Sequence, residues 1–491
     1  MSQMNTDGEK HDQDNAATID TILSGLRWAT LLRMVAQIIS WIATIVVVRF
    51  ISTSDYGLNA MLETPLEFLF LLSTFGLERA LVHTKTLGRS EVRSAFGWLL
   101  LVNGLLFLAY FFGSPLIADY FNEPRLEPLA RVLAFVFLLF PFRVIPDALL
   151  DRELKFKLKA FAELAAGITS AMTTLLLAVY GAGVWALIIG VLTHRVLLAV
   201  ILMVMQPWFV VPSLRFHPVR GMIAFGGTMA LASAVTITAN LLPVLIAGPR
   251  LGPEAMGLFV VSMQFALLPL AKISAVINPI VFPAFAKFQG QHAAVAHYLE
   301  KSIGIAALAL LPIMIGLACV GEAFVLTLFG ESWAPAIVPL TLLSLSVPFR
   351  GLTIFIWQVL GGIGYPGLVL RSALVGWGLL FILILIGANA GVIGLVLAVL
   401  IAEPIVTIVT IQWGKQAIDT SFHRIAQGLR PAVLGAAGMA VGVLGVKLLV
   451  AAEPAPVRLV VEVGAGVVIY LTILRVFFAE QWMSTLAFLR R

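Results

Sequence analysis

The chain has one cysteine in 491 residues, few charges and few long polar stretches. The lone thiol, Cys319, lies in an apolar run, which excludes a disulfide framework, a thiolate metal site and a CxxC redox pair. It reads as a buried, inert side chain. Charged residues make up 12% of the sequence, where a soluble globular protein carries about 25%. Hydrophobic residues make up 60%. That imbalance, together with repeated apolar runs, leaves a helical protein that crosses a membrane many times. A transmembrane barrel would show short alternating segments instead. No two of the seven histidines have ligand spacing within a span, and no Gly-rich phosphate loop follows a strand. No outer connection is large enough to form a domain, so nothing presents catalytic acids or bases on a sizeable loop. An enzyme is not expected, and neither a cofactor nor a metal is implied.

Runs of about 20 apolar residues mark helices able to cross a bilayer. Fourteen are found, at 27–51, 58–82, 95–113, 128–148, 160–180, 183–206, 221–247, 256–284, 302–321, 335–361, 368–388, 391–412, 431–451 and 457–478. The fold class expected is therefore all-α membrane, with about fourteen transmembrane helices. The basic residues fall on one side of these runs. Lys85, Arg89, Arg93, Arg152, Lys155, Lys157, Lys159, Arg215, Lys287, Lys301, Arg371, Lys415, Arg424 and Arg430 share that side, against Arg125, Arg250 and Arg458 opposite. Cytoplasmic loops carry the excess of Lys and Arg, which puts both termini in the cytoplasm and agrees with an even span count. The same placement explains the net charge of +6 without nucleic acid as a partner. The loop Asp151–Lys159 alternates charge and apolar residues and suits either plain topology or a short segment lying along the headgroups. Residues Met1 to Asp20 are polar, with Asp7, Glu9, Asp12 and Asp14, and lack the basic start of a cleavable signal. A disordered cytoplasmic tail ahead of an uncleaved signal anchor is expected.

The first hairpin, Arg27 to Val82, carries charge where an anchor needs none. Arg33 and Gln37 lie in its first run, and Glu63, Pro65 and Glu67 in its second. Ionised groups at that depth are costly and face a bundle interior or a watery cavity. Two further features recur about 200 residues apart. Arg49 through Leu58 matches Arg250 through Leu258, each pairing an arginine with a turn, an acid and a Gly-Leu. Gly183-Val184 opens the sixth run as Gly391-Val392 opens the twelfth. Six spans per copy gives parallel repeats, with a site between the halves. The organisation expected is a tail at 1–25, an N-lobe at 26–206, a linker at 207–220, a C-lobe at 221–412, a linker at 413–430, and an added helix pair with a basic tail at 431–491.

Several strings look familiar. They include Arg49-Phe-Ile-Ser-Thr-Ser-Asp-Tyr-Gly57, Phe75-Gly-Leu-Glu-Arg-Ala-Leu-Val82 and Asp147-Ala-Leu-Leu-Asp-Arg-Glu-Leu-Lys-Phe-Lys157. Gly181-Ala-Gly-Val-Trp-Ala-Leu187, Leu251-Gly-Pro-Glu-Ala-Met-Gly257 and Val281-Phe-Pro-Ala-Phe285 join them. Over roughly residues 25 to 430 the chain resembles bacterial polysaccharide exporters of the Wzx type, nearest the WzxC and xanthan-exporter branch. These belong to the multidrug/oligosaccharidyl-lipid/polysaccharide exporter superfamily. The resemblance implies a flippase in the bacterial inner membrane that works by alternating access. Its substrate would be an undecaprenyl-diphosphate-linked oligosaccharide repeat unit, with the polymerase and glycosyltransferases of the same pathway as further partners. The family shares no catalytic signature, so few residues carry over.

A diphosphate crossing hydrocarbon needs a hydrated, positively biased cavity, and arginine suits phosphate through paired hydrogen bonds. The buried cations are Arg33, Arg143, Arg195, Lys272 and Arg350. Of these, Arg33, Lys272 and Arg350 are the candidates for substrate binding, against the alternative that each is an ion pair holding the bundle. Arg143 is set to pair with Asp147 at i+4, and Arg195 to snorkel or meet a carboxylate on a neighbour. Glu63 and Glu67 share a helix face and are candidates for coupling or gating, as is Glu403 in the twelfth run; the alternative for the first two is neutralising Arg33. Pro243, Pro269, Pro279 and Pro283 bend the seventh and eighth runs, for gating or for packing. Asn240, Gln264 and Asn278 suit sugar hydroxyls or helix–helix bonding. Within the superfamily, a drug or cation antiporter would favour an acidic cavity, whereas this chain buries a basic surplus. A lipid II flippase is a further alternative, and a membrane glycosyltransferase or polymerase a more distant one.

Overall fold

In the computed structural model, residues 28, 32, 34–37, 39–74, 77–84, 88–208, 210–215 and 220–478 are described, and every regular element among them is helical. An apolar helix α1 (Met34–Val48) comes first. The series continues with α2 (Thr53–Thr74), α3 (Leu77–His83), α4 (Arg89–Phe112), α5 (Ser114–Phe121), α6 (Leu126–Leu133), α7 (Phe135–Arg152), α8 (Phe156–Val179) and α9 (Val184–Met205). After these come α10 (Arg220–Ala286), α11 (His292–Leu328), α12 (Ile337–Gly362), α13 (Pro366–Gly387), α14 (Gly391–Ile418), α15 (Phe422–Leu449) and α16 (Ala455–Phe477). Ten helical stretches among the described residues are long and apolar enough to cross a membrane. The chain forms two compact units, Met1–Leu241 and Leu242–Arg491.

Local chemistry sets the helix ends. The Ser52 hydroxyl accepts the Asp55 N–H at 3.1 Å and donates to the Asp55 carboxylate at 2.8 Å. The Ser52 side chain thus caps a free backbone N–H at the start of α2, and the Asp55 carboxylate holds its hydroxyl in place. α10 breaks at Gly252, whose φ of 76° and ψ of 178° suit glycine alone. The break falls inside the turn Arg250 to Gly257 that sequence set between the seventh and eighth runs. Gly183 (φ 56°, ψ −132°) and Gly391 (φ 73°, ψ −159°) start α9 and α14 in closely similar backbone conformations. Those two glycines are the pair matched in the sequence repeat.

Unit 1 packs α4 against α7, and α7 and α8 against α9. One core cluster joins Leu77 and Leu81 of α3, Phe96 and Leu99 of α4, Val144 and Ile145 of α7, and Trp208. Polar side chains tie helix ends across this unit. Asn103 Nδ2 donates to the Ser73 carbonyl at 2.9 Å, and the Tyr110 hydroxyl donates to the Leu62 carbonyl at 2.8 Å. The second bond lies in the α2 turn where Pro65 withholds a donor. Arg152 donates to the carbonyls of Leu81 and Val82 at 2.9 and 3.2 Å, closing the end of α3.

Between α4 and α6, Pro115 opens the short helix α5, which ends at a left-handed Asn122. Two expectations differ. α11 starts at His292 and α15 at Phe422, each well before the run that sequence marks. α11 has 37 residues, about 55 Å at 1.5 Å per residue, so it outruns a hydrocarbon layer of about 30 Å. Its extra turns are amphipathic: Val295, Leu299 and Ile303 join Ile356, Val359, Leu360, Ile418 and Ile425 in one buried cluster. Hydropathy over a 20-residue window misses such a stretch because its outer face is polar. The segment 413–430, read as a linker, is likewise helical apart from Asp419 to Ser421.

In unit 2, α11 packs on α12, α15 and α16, and α13 and α14 form a hairpin. Small residues let helices close up in lipid, where no hydrophobic force separates them from the tails. A Cβ added at Gly435, Gly438 or Gly442 of α15 would lie 2.9, 2.6 and 2.5 Å from Tyr470, Ile473 and Ile469 of α16. The Tyr470 hydroxyl then donates to the Leu308 carbonyl at 2.8 Å, joining the last helix to α11.

Candidate functional site

The ionisable groups inside the helices gather in a few places. In unit 1, α2 supplies Glu63 and Glu67, α7 supplies Arg143, and α9 supplies His194 and Arg195. Glu63 is half-buried, within side-chain hydrogen-bonding reach of Asn59 and electrostatic reach of Arg195 and Glu67. Arg195 in turn interacts with Arg143 as well as with Glu63. Beneath these cations lies an aromatic shelf. Phe70 and Phe140 stack at 5.4 Å between centroids, and Phe137 adjoins Phe70 at 5.3 Å. The Arg195 guanidinium sits 5.2 Å from the Phe70 ring centre, and that of Arg143 sits 6.0 Å from Phe140. A ring face attracts a cation, by up to about 2 kcal/mol where water is excluded. The shelf thus holds two guanidiniums that repel one another, with their N–H groups left to carboxylates or to an anion.

Next to this group, Asp147 of α7 is 3% exposed and takes the ammonium of Lys159 at 2.9 Å, which also reaches Asp151 at 3.0 Å. Sequence had set Asp147 to pair with Arg143 one turn away. The structure gives it to Lys159 of the next helix, and Arg143 interacts instead with Glu78 and Arg195. A cross-helix ammonium contact outcompetes the i+4 geometry because the α7–α8 turn brings Lys159 directly over the carboxylate.

Unit 2 brings Arg350 of α12 and Glu403 of α14 together, with Nη1 to Oε1 at 3.6 Å and side chains 27% and 17% exposed. One turn along each helix, the hydroxyls of Thr353 and Thr407 meet at 2.8 Å. Sequence offered Arg350 for substrate and Glu403 for gating without linking them. Lys272 lies half-buried in the second part of α10. An apolar cavity of about 440 Å³ lies within this unit, lined by residues such as Leu270, Ile277, Leu310, Leu352 and Val433. No charged residue lines it.

Arg33 lies outside the described residues, so its meeting with Glu63 and Glu67 is not described; among the described residues Glu63 has Arg195 as a cationic neighbour. By sequence alone Arg143 and Arg195 suit a structural role better than substrate binding. A signal that could have raised them was available: Phe70 and Phe140 each lie three residues or one turn from an ionisable group on their own helix, which is spacing for a shared face.

The sequence pattern of a family described as "Polysaccharide biosynthesis protein" matches residues 46–338, more than half of the chain. Curated relatives include the lipopolysaccharide biosynthesis protein WzxC of Escherichia coli K12, 25% identical over 65% of this chain and 66% of its own length. The teichuronic acid biosynthesis protein TuaB of Bacillus subtilis 168 is 25% identical over 66% and 68%. The succinoglycan biosynthesis transport protein ExoT of Rhizobium meliloti 1021 is 24% identical over 72% and 75%. The alignments thus span about two thirds to three quarters of those proteins. Among solved structures, the lipid II flippase MurJ in an inward closed conformation superposes with a TM-score of 0.73 at 14% identity, covering 92% of this chain and 99% of that one. An inward-facing multidrug resistance MATE family transporter of the MOP superfamily gives 0.59 at 15% identity, covering 78% and 94%. Those likenesses establish the fold: an all-helical, multi-pass membrane chain.

Proposed function

The chain belongs to the polysaccharide biosynthesis protein family, and on that footing we propose that it flips undecaprenyl-diphosphate-linked oligosaccharide repeat units across the bacterial inner membrane. The names of WzxC, TuaB and ExoT all concern polysaccharide biosynthesis or transport. The observation that carries the reading is the Arg143–Arg195 shelf in unit 1. Two guanidiniums inside membrane helices are costly unless an anion repays their desolvation, and a diphosphate offers paired oxygens to such donors.

Fourteen spans, with both termini cytoplasmic, form two parallel six-helix lobes and an added pair; the lobes alternate access around the headgroup. Supporting this are the one-sided distribution of basic loops and the like conformations of Gly183 and Gly391. Arg33, Lys272 and Arg350 contact the headgroup, and Arg143 and Arg195 are added to that set. Glu63, Glu67 and Glu403 couple or gate by exchanging partners with neighbouring cations. The polymerase and glycosyltransferases of the pathway supply and consume the lipid-linked unit; the chain itself performs no bond chemistry.

The test is a deletion strain complemented with Ala at Arg33, Arg143, Arg195, Lys272 and Arg350 singly, at matched membrane abundance. Loss of surface polymer is expected for Arg143→Ala and Arg195→Ala and for at least two of the other three. Normal export from all five variants contradicts the assignment.

A further inference from the structure

The helix pair that ends the chain encloses an ionisable group for which the transport reading has no use. α16 carries Arg458 in its first turn and Glu462 one turn later. α15 brings Lys447 in its last turn, and α11 brings Glu322. Glu322 takes two cations, Lys447 at 2.9 Å and Arg458 Nη1 at 3.2 Å. Arg458 Nε then stands 3.7 Å from Glu462 Oε1, too far for a hydrogen bond.

The Glu462 side chain is 0% exposed. Among the described residues, neither of its oxygens has a hydrogen-bond partner, nor has Arg458 Nε. An apolar cluster that includes Met439 and Val443 of α15 and Tyr470 of α16 lies between these helices. A buried carboxylate without donors is expensive when ionised, and removing its partner costs more than the pair contributes. A buried acid in a membrane helix that has an ion pair but no hydrogen-bond donor calls for a role. Its ligand has to be small, because the side chain is fully covered. No group of three or more His, Cys, Asp or Glu among the described residues can hold a metal ion.

We propose that Glu462 is a proton-binding site, with the Arg458 guanidinium standing between it and the partly exposed Glu322. The groups that face it are Glu322 and the Cys319 thiol from α11, Lys447 from α15 and Arg458 from α16 itself. With the proton on Glu462, Glu322 is the one anion facing both cations and the four charges sum to +1. When the carboxyl releases its proton, the sum falls to zero and Arg458 gains a second anion on its own helix. The guanidinium is then drawn one turn along α16, away from Glu322. The tie between α16 and α11 loosens as the proton leaves and tightens as it returns. Proton occupancy thereby controls how firmly the last helix pair holds to the rest of unit 2.

The measurement is infrared difference spectroscopy on the purified full-length chain in lipid nanodiscs across a pH step. A C=O stretching band of a protonated, apolar-buried carboxyl is expected in the wild type and is lost in Glu462→Gln. Glu462→Asp, which keeps the acid on a shorter arm, shifts the band. In parallel, hydrogen exchange of the first turns of α16 slows as the band grows, with the same midpoint. A wild type without the band, a band unchanged in both variants, or exchange that ignores the titration overturns the proposal. None of these readouts involves a sugar or a lipid substrate, so the outcome is separable from that of the flippase reading.

Discussion

At the scale of single residues, what matters is which charge meets which. Glu123 and Arg125 lie between α5 and α6, joined at 2.7 Å, with Arg125 also donating to Ser54 at the start of α2. The hydrogen bond from Arg125 holds the Glu123 carboxyl below the ordinary carboxylate range. A depressed native pKa stabilises the fold above the unfolded pKa, and that contribution disappears as pH falls through the native value. Arg125 is more than half exposed, so the pair is worth less than about 1 kcal/mol. Glu123→Gln should therefore lower the melting temperature slightly at neutral pH and not at all in strong acid. A pH series of melts in detergent checks this; an equal loss at every pH contradicts it. Arg350 and Glu403 offer a sharper case. Truncating Arg350 alone leaves a covered carboxylate unpaired and should cost about 2 kcal/mol, below the usual 3–5 for a buried pair because both groups keep some exposure. Replacing both with Met should restore most of that stability while export stays lost. Additive melting shifts would show that the two residues do not interact.

Element by element, the spacing of apolar runs determined most of what could be read. Runs of about 20 residues reveal helices because backbone donors in lipid must be satisfied within the segment. The α10 break near Gly252 and the tight turns at Gly183 and Gly391 were visible for the same reason: glycine marks where the chain leaves the allowed region of other residues. Alanine at Gly183 or Gly391 should destabilise by roughly 1 kcal/mol or more, since both φ values are positive. Gly183→Ala should cost more, because its Cβ would meet the Asp55 carboxylate at 3.0 Å, while Gly391 opens on free space. Melting curves of the two variants rank them, and a larger loss at Gly391 contradicts the packing assigned to Asp55. Other features were hidden. The helical extensions at His292 and Phe422 carry a polar face that dilutes hydropathy. The link of Lys159 to Asp147, and of Arg458 to Glu322 from a helix 136 residues away, depend on packing that no local spacing encodes.

For the whole molecule, two compact units of membrane helices each enclose charge that hydrocarbon alone would not tolerate. The sequence located most of those charges by run and depth but could not pair them. Arg350 and Glu403, distant in the chain, were listed for different tasks and stand together. Arg143 and Arg195 were set aside as structural and lie over one aromatic shelf. Two guanidiniums over a shelf of stacked rings offer a diphosphate paired donors once they leave Glu63 and Glu78. Flipping should therefore depend on the diphosphate more than on the sugars attached to it. The direct measurement uses proteoliposomes loaded with an undecaprenyl-diphosphate-linked oligosaccharide and reads transfer between leaflets. Wild-type protein should move the lipid, and Arg143→Ala/Arg195→Ala should not, despite equal incorporation and equal melting behaviour. Transfer by the double variant at the wild-type rate, or no transfer by the wild type, would contradict the assignment.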